Sequence, residues 1–273
     1  MERNEAPAVR GLEDRFFTAT IFLFLALFLG GGALLLLADV LYVDAPAVKT
    51  VFSDPNILHA LWLSLWTSCA TVVLSLLFAL PMGYALSRYS FPGRILADTL
   101  VDLPIVFPPL VAGLTLLVFF SQTALGRWIE NTGLTFVFQP RGIVLCQFLV
   151  SASYAIRTVK AAFDEIDPRL EKVALTLGAS RWGAFFRVSL PLARNGVLAG
   201  GILTWARAFG IFGPLMIFVG SFRGRTEVLP TTVFLEQSIG HLEVALAVSL
   251  LLIAVAAAAL LAVRILTGKA LFR

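Results

Sequence analysis

The sequence predicts an all-α polytopic membrane protein with six transmembrane helices. The chain of 273 residues is 59% hydrophobic and 14% charged, with a mean hydropathy of +0.89. A soluble core cannot bury that much apolar surface. Six apolar stretches are also long enough to cross a bilayer, which takes about 20 residues each. They cover residues 16–43, 59–86, 98–121, 142–163, 193–220 and 242–266.

The first stretch is predicted to be a helix and not a cleaved leader, because it is too long and contains Asp39. We therefore divide the chain into four parts, which are a tail (1–15), the first span (16–43), a transmembrane core (58–266) and a second tail (267–273). Cys69 and Cys146 both fall inside predicted spans, so we expect no disulfide.

The basic residues predict the topology. The expected outer segments contain only Lys49, Arg127, Arg141, Arg223 and Arg225, whereas most of the other Lys and Arg residues fall in the expected inner segments. This bias puts both termini in the cytoplasm. It also explains the pI of 9.4 without a nucleic-acid partner, for which the sequence has no motif.

Several classes of site are not expected. No G-x-x-x-x-G-K-[ST] phosphate loop occurs, so the chain is not predicted to hydrolyse ATP. His59 and His241 lie at the outer edge without companions at metal-ligand spacing, so neither a metal site nor a catalytic residue is predicted.

A polar interruption at residues 164–191 lies between the fourth and fifth spans. Asp167 before Pro168 reads as an N-cap, and Gly178 is expected to end the helix that follows. The helix carries apolar residues at helical spacing, which are Ile166, Leu170, Val173, Ala174 and Leu177. Such a helix either lies on the lipid surface or docks a partner in the water, and its pattern leaves both possibilities open.

The order of residues in this interruption resembles the EAA docking loop of importer-type ABC transporter permeases. The matching residues are Glu171, Ala174, Gly178, Val188, Leu190 and Pro191. Glu171 lies seven residues before the glycine, one more than the simplest pattern, and Val173 replaces a small residue. Three further segments resemble the molybdate, tungstate and sulfate permeases, namely DLPIVFPPLVAGLTLL (102–117), WARAFGIFG (205–213) and GRTEVLP (224–230). Ile211 and Ser221 replace the acid and the asparagine usual in that family, which leaves the anion open.

The resemblance implies a type I importer permease (MetI-like) fold in a bacterial or archaeal cytoplasmic membrane, with a cytoplasmic coupling helix between spans four and five. It implies ATP-driven import of molybdate or tungstate, with sulfate or another small solute as the alternative. The implied partners are a second copy of the chain, two ATPase subunits that bind ATP and Mg, and an outer binding protein. The ATPase would dock on Leu170, Glu171, Ala174, Leu177, Gly178, Ala179, Leu190 and Pro191.

Arg207 is predicted to lie near the middle of the membrane, about 24 Å along a helix from Pro191 at 1.5 Å per residue. It either faces the transport path or the second copy, or it pairs with carbonyls near Gly210 and Gly213. The third span is expected to be a kinked helix that lines the path or is kinked for packing alone. Its candidate residues are Pro104, Phe107, Pro108, Pro109 and Gly113. The other candidate path residues are Arg207, Gly210 and Gly213 of the fifth span.

Three acids are assigned simple roles. Asp102 is expected to cap the third span, and Glu236 and Glu243 are expected to be solvated or to contact the binding protein. The rival function is a secondary transporter or channel, which would need paired ionisable groups in the membrane or broken inverted repeats. The sequence predicts neither.

Overall fold

The computed structural model describes the backbone of residues 7–271 and the side chains of residues 14–263 and 265. This part of the chain contains helices and no strand, as predicted. The α-helices are α1 Pro7–Tyr42, α2 Ala45–Ser53, α3 Pro55–Arg88, α4 Arg94–Val106, α5 Pro109–Gln122, α6 Ala124–Asn131, α7 Pro140–Asp164, α8 Pro168–Thr176, α9 Arg181–Ala184, α10 Leu190–Phe209, α11 Gly213–Phe218, α12 Leu229–Ser238 and α13 Leu242–Leu271. A π-helical turn, Phe185–Ser189, joins α9 to α10.

Within the described residues, four single helices are long and apolar enough to cross a membrane. They are α1, α3, α7 and α13, which coincide with the first, second, fourth and sixth predicted spans. The bent pair α4–α5 would make a fifth crossing if it spans as one unit. The count of six therefore remains a prediction.

The third predicted span is broken, and the expectation of one kinked helix over 98–121 is wrong. Helix α4 ends at Val106, α5 starts at Pro109, and their axes differ by 109°. Phe107 and Pro108 are extended, with ψ of 129° and 130°. Two successive prolines remove two backbone donors and force each preceding residue out of the helical region, so the chain turns instead of bending.

The fifth predicted span is also interrupted. Helix α10 ends at Phe209, and the short helix α11 begins at Gly213. Gly210 caps α10 with φ −92° and ψ 7°, and Pro214 lies in the first turn of α11. A continuous helix over 193–220 is therefore wrong, because the Gly-rich and Pro-containing segment ends one helix and starts another.

The centre of the fold is the pair α3 and α7, which packs through small residues. The buried polar residues of these two helices are Ser64, Thr67, Ser68, Thr71, Ser75, Gln147, Ser151 and Ser153. Thr71 donates to Gln147 Oε1 at 2.9 Å, and Gln147 Nε2 donates to the Ala208 carbonyl of α10 at 3.0 Å. Small side chains let helix backbones approach closely in a membrane, and bonded hydroxyls add to that contact. Helix α1 lies outside this core, since no residue of its apolar window is buried.

Candidate docking segment and translocation path

The docking segment begins and ends as the sequence predicts. Asp167 Oδ1 accepts a hydrogen bond from the Arg169 amide at 2.9 Å, and Pro168 occupies the first turn of α8. At the other end, Gly178 has φ +87° and its amide donates to the Leu175 carbonyl. A left-handed residue after the last turn ends a helix and favours glycine. The local sequence thus defines both ends of α8.

The apolar side of α8 is exposed among the residues that the structure describes. No residue of α8 is buried, and Leu170, Val173 and Leu177 are 47%, 55% and 82% exposed. These three side chains, spaced i, i+3 and i+7, form a stripe that we call the α8 stripe. Of the other predicted docking residues, Ala174, Ala179 and Leu190 are partly buried, and Gly178 and Pro191 are exposed.

Glu171 does not share the α8 stripe. Its Oε1 accepts a hydrogen bond from Arg88 Nε at 2.8 Å, and its Oε2 accepts one from Tyr84 at 2.7 Å. The Arg88 and Glu171 side chains are only 9% and 12% exposed. Helical spacing places Glu171 about 100° round α8 from Leu170, which turns the carboxylate toward α3. Glu171 was predicted as a docking residue, but its side chain faces α3 and not the exposed side of α8.

The chain continues from α8 through an aromatic segment. Ser180 caps α9 by accepting a hydrogen bond from the Gly183 amide at 3.0 Å. Trp182 and Phe186 are exposed and stack at 5.8 Å between ring centroids. The π-helical turn then runs directly into α10, with Pro191 in its first turn. Pro191 therefore lies at the start of the helix that carries Arg207.

The candidate path residues lie at two breaks that adjoin each other. A β-carbon on Gly213 would lie 3.2 Å from Leu110 Cδ2 and 4.0 Å from Pro109 Cβ, so the start of α11 meets the start of α5. Pro108, Pro109 and Gly210 are exposed at these breaks, and Pro104, Phe107 and Gly213 are partly buried. Non-helical backbone at membrane depth occurs where it is covered by protein or lines a cavity.

Gly113 is not at the surface of this region. It is buried in α5 against Pro214 of α11, and a β-carbon there would lie 2.4 Å from the Pro214 carbonyl oxygen. The glycine allows two backbones to approach. Its place among the path-lining residues is therefore wrong, and its role is helix contact.

Arg207 is exposed on α10. Among the side chains that the structure describes, its guanidinium has no carboxylate within ion-pair distance and no hydrogen bond to a carbonyl of 210–214. The alternative of a structural arginine satisfied inside its own chain is therefore not supported. A cation on the outside of a membrane helix needs a cavity or a partner.

A cluster of charges that the sequence did not reveal joins α4 to α7. Arg157 of α7 donates to both carboxylate oxygens of Asp102 and, at 2.7 Å, to Asp98 Oδ1. Asp102 lies inside α4, so the prediction that it caps a helix is wrong. The acids are spaced i and i+4, which places them on one helix face, and this spacing was the available signal.

A second cluster lies in the segment after α11. Glu236 of α12 is 5% exposed and accepts hydrogen bonds from Arg223 at 2.5 Å and from His241, so the expectation that it is solvated is wrong. Glu227 is 1% exposed, and its Oε2 has no hydrogen-bond partner among the described residues. Burial, together with the charges of Glu236 and Asp54, raises the pKa of the Glu227 carboxyl, although Thr232 and Arg223 act in the opposite direction.

Comparison with known proteins identifies the family. Residues 75–270, more than half of the chain, match the inner membrane component of binding-protein-dependent transport systems. The chain belongs to this family. It is the membrane component of such a system, and the ATPase of these systems is a separate subunit.

Two relatives of this chain are named for different anions. The molybdate/tungstate transport system permease protein WtpB of Thermococcus kodakarensis is 42% identical over 170 residues, which span 62% of this chain and 64% of that protein. The sulfate transport system permease protein CysW of Escherichia coli is 35% identical over 215 residues, or 76% and 74% of the two chains.

Solved structures support the fold. A chain of a bacterial alginate ABC transporter, crystallised with its periplasmic protein, superposes with a TM-score of 0.71 and covers 94% of both chains at 18% identity. Similarity at that identity shows the type I permease fold and carries no information on the cargo. The sequence-based expectation of this fold is confirmed.

Proposed function

We propose that this permease carries a tetrahedral oxyanion, molybdate or tungstate, inward across the cytoplasmic membrane in an ATP-driven complex. The complex contains two copies of the chain, two ATPase subunits and an outer binding protein. The relatives named for molybdate, tungstate and sulfate support the cargo class. The runner-up cargo is sulfate, which has the same shape and charge.

The α8 stripe is the observation that carries the proposal. An amphipathic helix with its apolar residues exposed binds a groove of a partner through anchors at i, i+3 and i+7. Leu170, Val173 and Leu177 fulfil that pattern, and all three side chains are exposed in the described chain. The lipid surface is the alternative ligand for such a stripe. In our proposal the ATPase occupies it, and both chain termini lie on the same cytoplasmic side.

The path runs between the two copies along the exposed side of α10. In this proposal Arg207 supplies a cation to that side, and the breaks at 107–108 and 210–212 also face the path. One weakly held arginine attracts a dianion without trapping it, which suits a carrier. Rigid-body rocking of the two copies, driven by closure of the ATPases, then opens the path to each side in turn.

The choice between oxyanions does not rest on Ile211. This residue replaces a family acid, but it is 5% exposed and packs with Leu215 and Phe218 in an apolar cluster. It therefore has no direct contact with an ion in the path. Selection among similar dianions falls to the binding protein, which meets the ion first.

An elemental assay tests the cargo. Cells lacking this chain are grown in trace molybdate and tungstate, and intracellular Mo and W are measured by mass spectrometry against a complemented strain. We expect selective loss of Mo or W. Unchanged levels of both in a host without a second uptake system would contradict the proposal, and sulfate uptake would then be measured.

A paired substitution tests the ATPase docking. Leu177→Asp places a charge in the α8 stripe, and Lys172→Asp places the same side chain about 140° round the helix. We expect Leu177→Asp to reduce recovery of the ATPase with the purified permease about tenfold or more, as for the loss of a central anchor. Lys172→Asp is expected to retain it. Equal recovery with both variants would contradict docking through the stripe.

A further inference from the structure

Helix α8 is not attached to the rest of the chain by burial of its own apolar side. None of its residues is buried, and the three side chains of the α8 stripe are exposed. A helix of nine residues is too short to be stable alone. Its position must therefore depend on specific bonds to neighbouring helices.

Those bonds converge on Glu171. Arg88 Nε and the Tyr84 hydroxyl, both in the last turns of α3, donate to its two carboxylate oxygens at 2.8 Å and 2.7 Å. Arg88 Nη2 also donates to the Ile166 carbonyl, just before α8, at 2.9 Å. Arg88 therefore binds both the backbone before α8 and the Glu171 carboxylate within α8.

The donors are themselves fixed by packing. The Tyr84 ring lies edge-on to Phe163 of α7 at 5.4 Å and to Phe185 of the π-helical turn at 4.9 Å between centroids. Four elements, α3, α7, α8 and the π-helical turn, thus meet around one carboxylate. We call Tyr84, Arg88 and Glu171 the α8 junction.

The charge on Glu171 is favoured at the junction. Its burial opposes ionisation, but the hydrogen bonds from Tyr84 and Arg88 outweigh that effect and lower the pKa of the Glu171 carboxyl. Charged hydrogen bonds are about twice as strong as neutral ones. The junction therefore favours the ionised carboxylate, which accepts both hydrogen bonds.

We propose that Glu171 is a positioning residue, and that the α8 junction ties α8 to the end of α3 throughout the transport cycle. This inference rests on the proposed docking of an ATPase at the α8 stripe. The chain also connects α8 to α10, but that route passes through the left-handed Gly178 and the π-helical turn. The junction adds a second, direct connection, so a force on α8 moves α3 and its packed neighbour α7 together.

The experiment compares hydrolysis with transport in the reconstituted complex. Arg88→Gln and Glu171→Gln remove the charged bond, and Tyr84→Phe removes one hydroxyl while it keeps the ring. Complexes with the ATPase and binding protein are placed in proteoliposomes, and ATP hydrolysed per molybdate or tungstate ion imported is measured. Glu165→Gln, an exposed carboxylate in the same segment, is the matched control.

The expected result is uncoupling. Arg88→Gln should retain the ATPase subunit and its hydrolysis but import about tenfold less anion, the ratio expected for loss of one charged hydrogen bond. Tyr84→Phe should show a smaller loss, and Glu165→Gln none. The double variant Arg88→Glu, Glu171→Arg should restore part of the anion import per ATP hydrolysed. No such recovery is expected if the single substitutions act only by unfolding the protein.

A second readout keeps the inference testable without transport. Spin labels at positions 89 and 172, in a Cys69→Ser background, should give a narrow distance distribution in the parent chain and a broad one in Tyr84→Phe and Arg88→Gln. The proposed connection between α8 and α3 would be contradicted by an unchanged distance distribution in the variants. A parent-like ratio of ATP hydrolysed to anion imported in Arg88→Gln would also contradict it. If the unmodified chain binds no ATPase, the proposed function fails and this inference falls with it.

Discussion

Gly113 of α5 packs directly against the backbone of Pro214 of α11. A β-carbon on Gly113 would lie 2.4 Å from the Pro214 carbonyl oxygen and 2.7 Å from its Cα. Both distances are far below van der Waals contact, so α5 and α11 can meet in this way only with glycine. The contact fixes how the break at 107–108 lies relative to the break at 210–212.

Gly113→Ala is expected to destabilise the protein by about 1–3 kcal/mol, since the added methyl meets backbone that cannot move aside. Thermal unfolding of the detergent-solubilised protein measures this. Gly31→Ala is the control, because a β-carbon at that position in α1 has nothing within 4 Å. The close contact would be disproved if the two alanine variants unfolded at the same temperature.

Arg207→Ala is expected to leave the amount and stability of the protein unchanged, because no described group of its own chain binds the guanidinium. Transport should fall about tenfold or more, equivalent to at least about 1.4 kcal/mol. Arg194→Ala, at an exposed arginine of the same helix, is the control. Uptake at the parent rate would show that Arg207 serves neither the path nor the contact between copies.

Glu227→Gln is expected to stabilise the protein at pH 7–8 by on the order of 1 kcal/mol, because the amide is neutral where the carboxylate is buried. A raised folded-state pKa gives stability that is complete below the unfolded pKa, near 4.5, and is lost as the pH rises through the folded value. The parent should thus lose stability toward alkaline pH more steeply than the variant.

Unfolding temperatures measured from pH 5 to pH 8 provide the comparison. Glu165→Gln, at an exposed acid, should follow the parent curve. Parallel curves for the parent and Glu227→Gln would contradict the raised pKa of the Glu227 carboxyl.

Arg157→Ala is expected to lower the free energy of unfolding by on the order of 2 kcal/mol, because Asp98 and Asp102 lose their shared cation. This value lies between those for exposed and buried ion pairs. Arg157→Lys should recover part of this, since lysine keeps the charge but not the paired donors. Unfolding temperature and yield of folded protein are the measurements. An Asp98→Asn, Asp102→Asn, Arg157→Gln variant that folds normally would support this account, whereas equal losses in Arg157→Lys and Arg157→Ala would contradict a role for the charge.

The sequence predicted the elements that depend on local chemistry. The caps of α8 follow from Asp167, Pro168 and Gly178, because a cap is decided by a few adjacent residues. Four apolar helices follow from length and composition. Short-range spacing likewise indicates the amphipathic helix α8, whose role in docking stays a prediction from the family resemblance.

The contacts between distant segments were not predictable in this way. Glu171 and Arg88 are separated by 83 residues, and Arg157 and Asp102 by 55. The packing of the helices decides which acidic residue pairs with which basic residue. Helical periodicity in the sequence carries no information on that packing. The same limit explains why the break at 107–108 was predicted as a kink, since prolines signal an interruption but not its angle.

The buried hydroxyls of α3 bear on how the protein enters the membrane during synthesis. Ser64, Thr67 and Ser68 donate to the Ala60, Leu63 and Leu65 carbonyls of their own helix. These three hydroxyls need no acceptor on another helix, so they do not oppose insertion of α3 into the lipid before α7 has been made. The Gln147 side-chain amide has its partners on two other helices. Its oxygen accepts from Thr71, which is synthesised earlier, and its nitrogen donates to the Ala208 carbonyl, which is synthesised later. The order of translation thus matches the order in which polar groups become bonded.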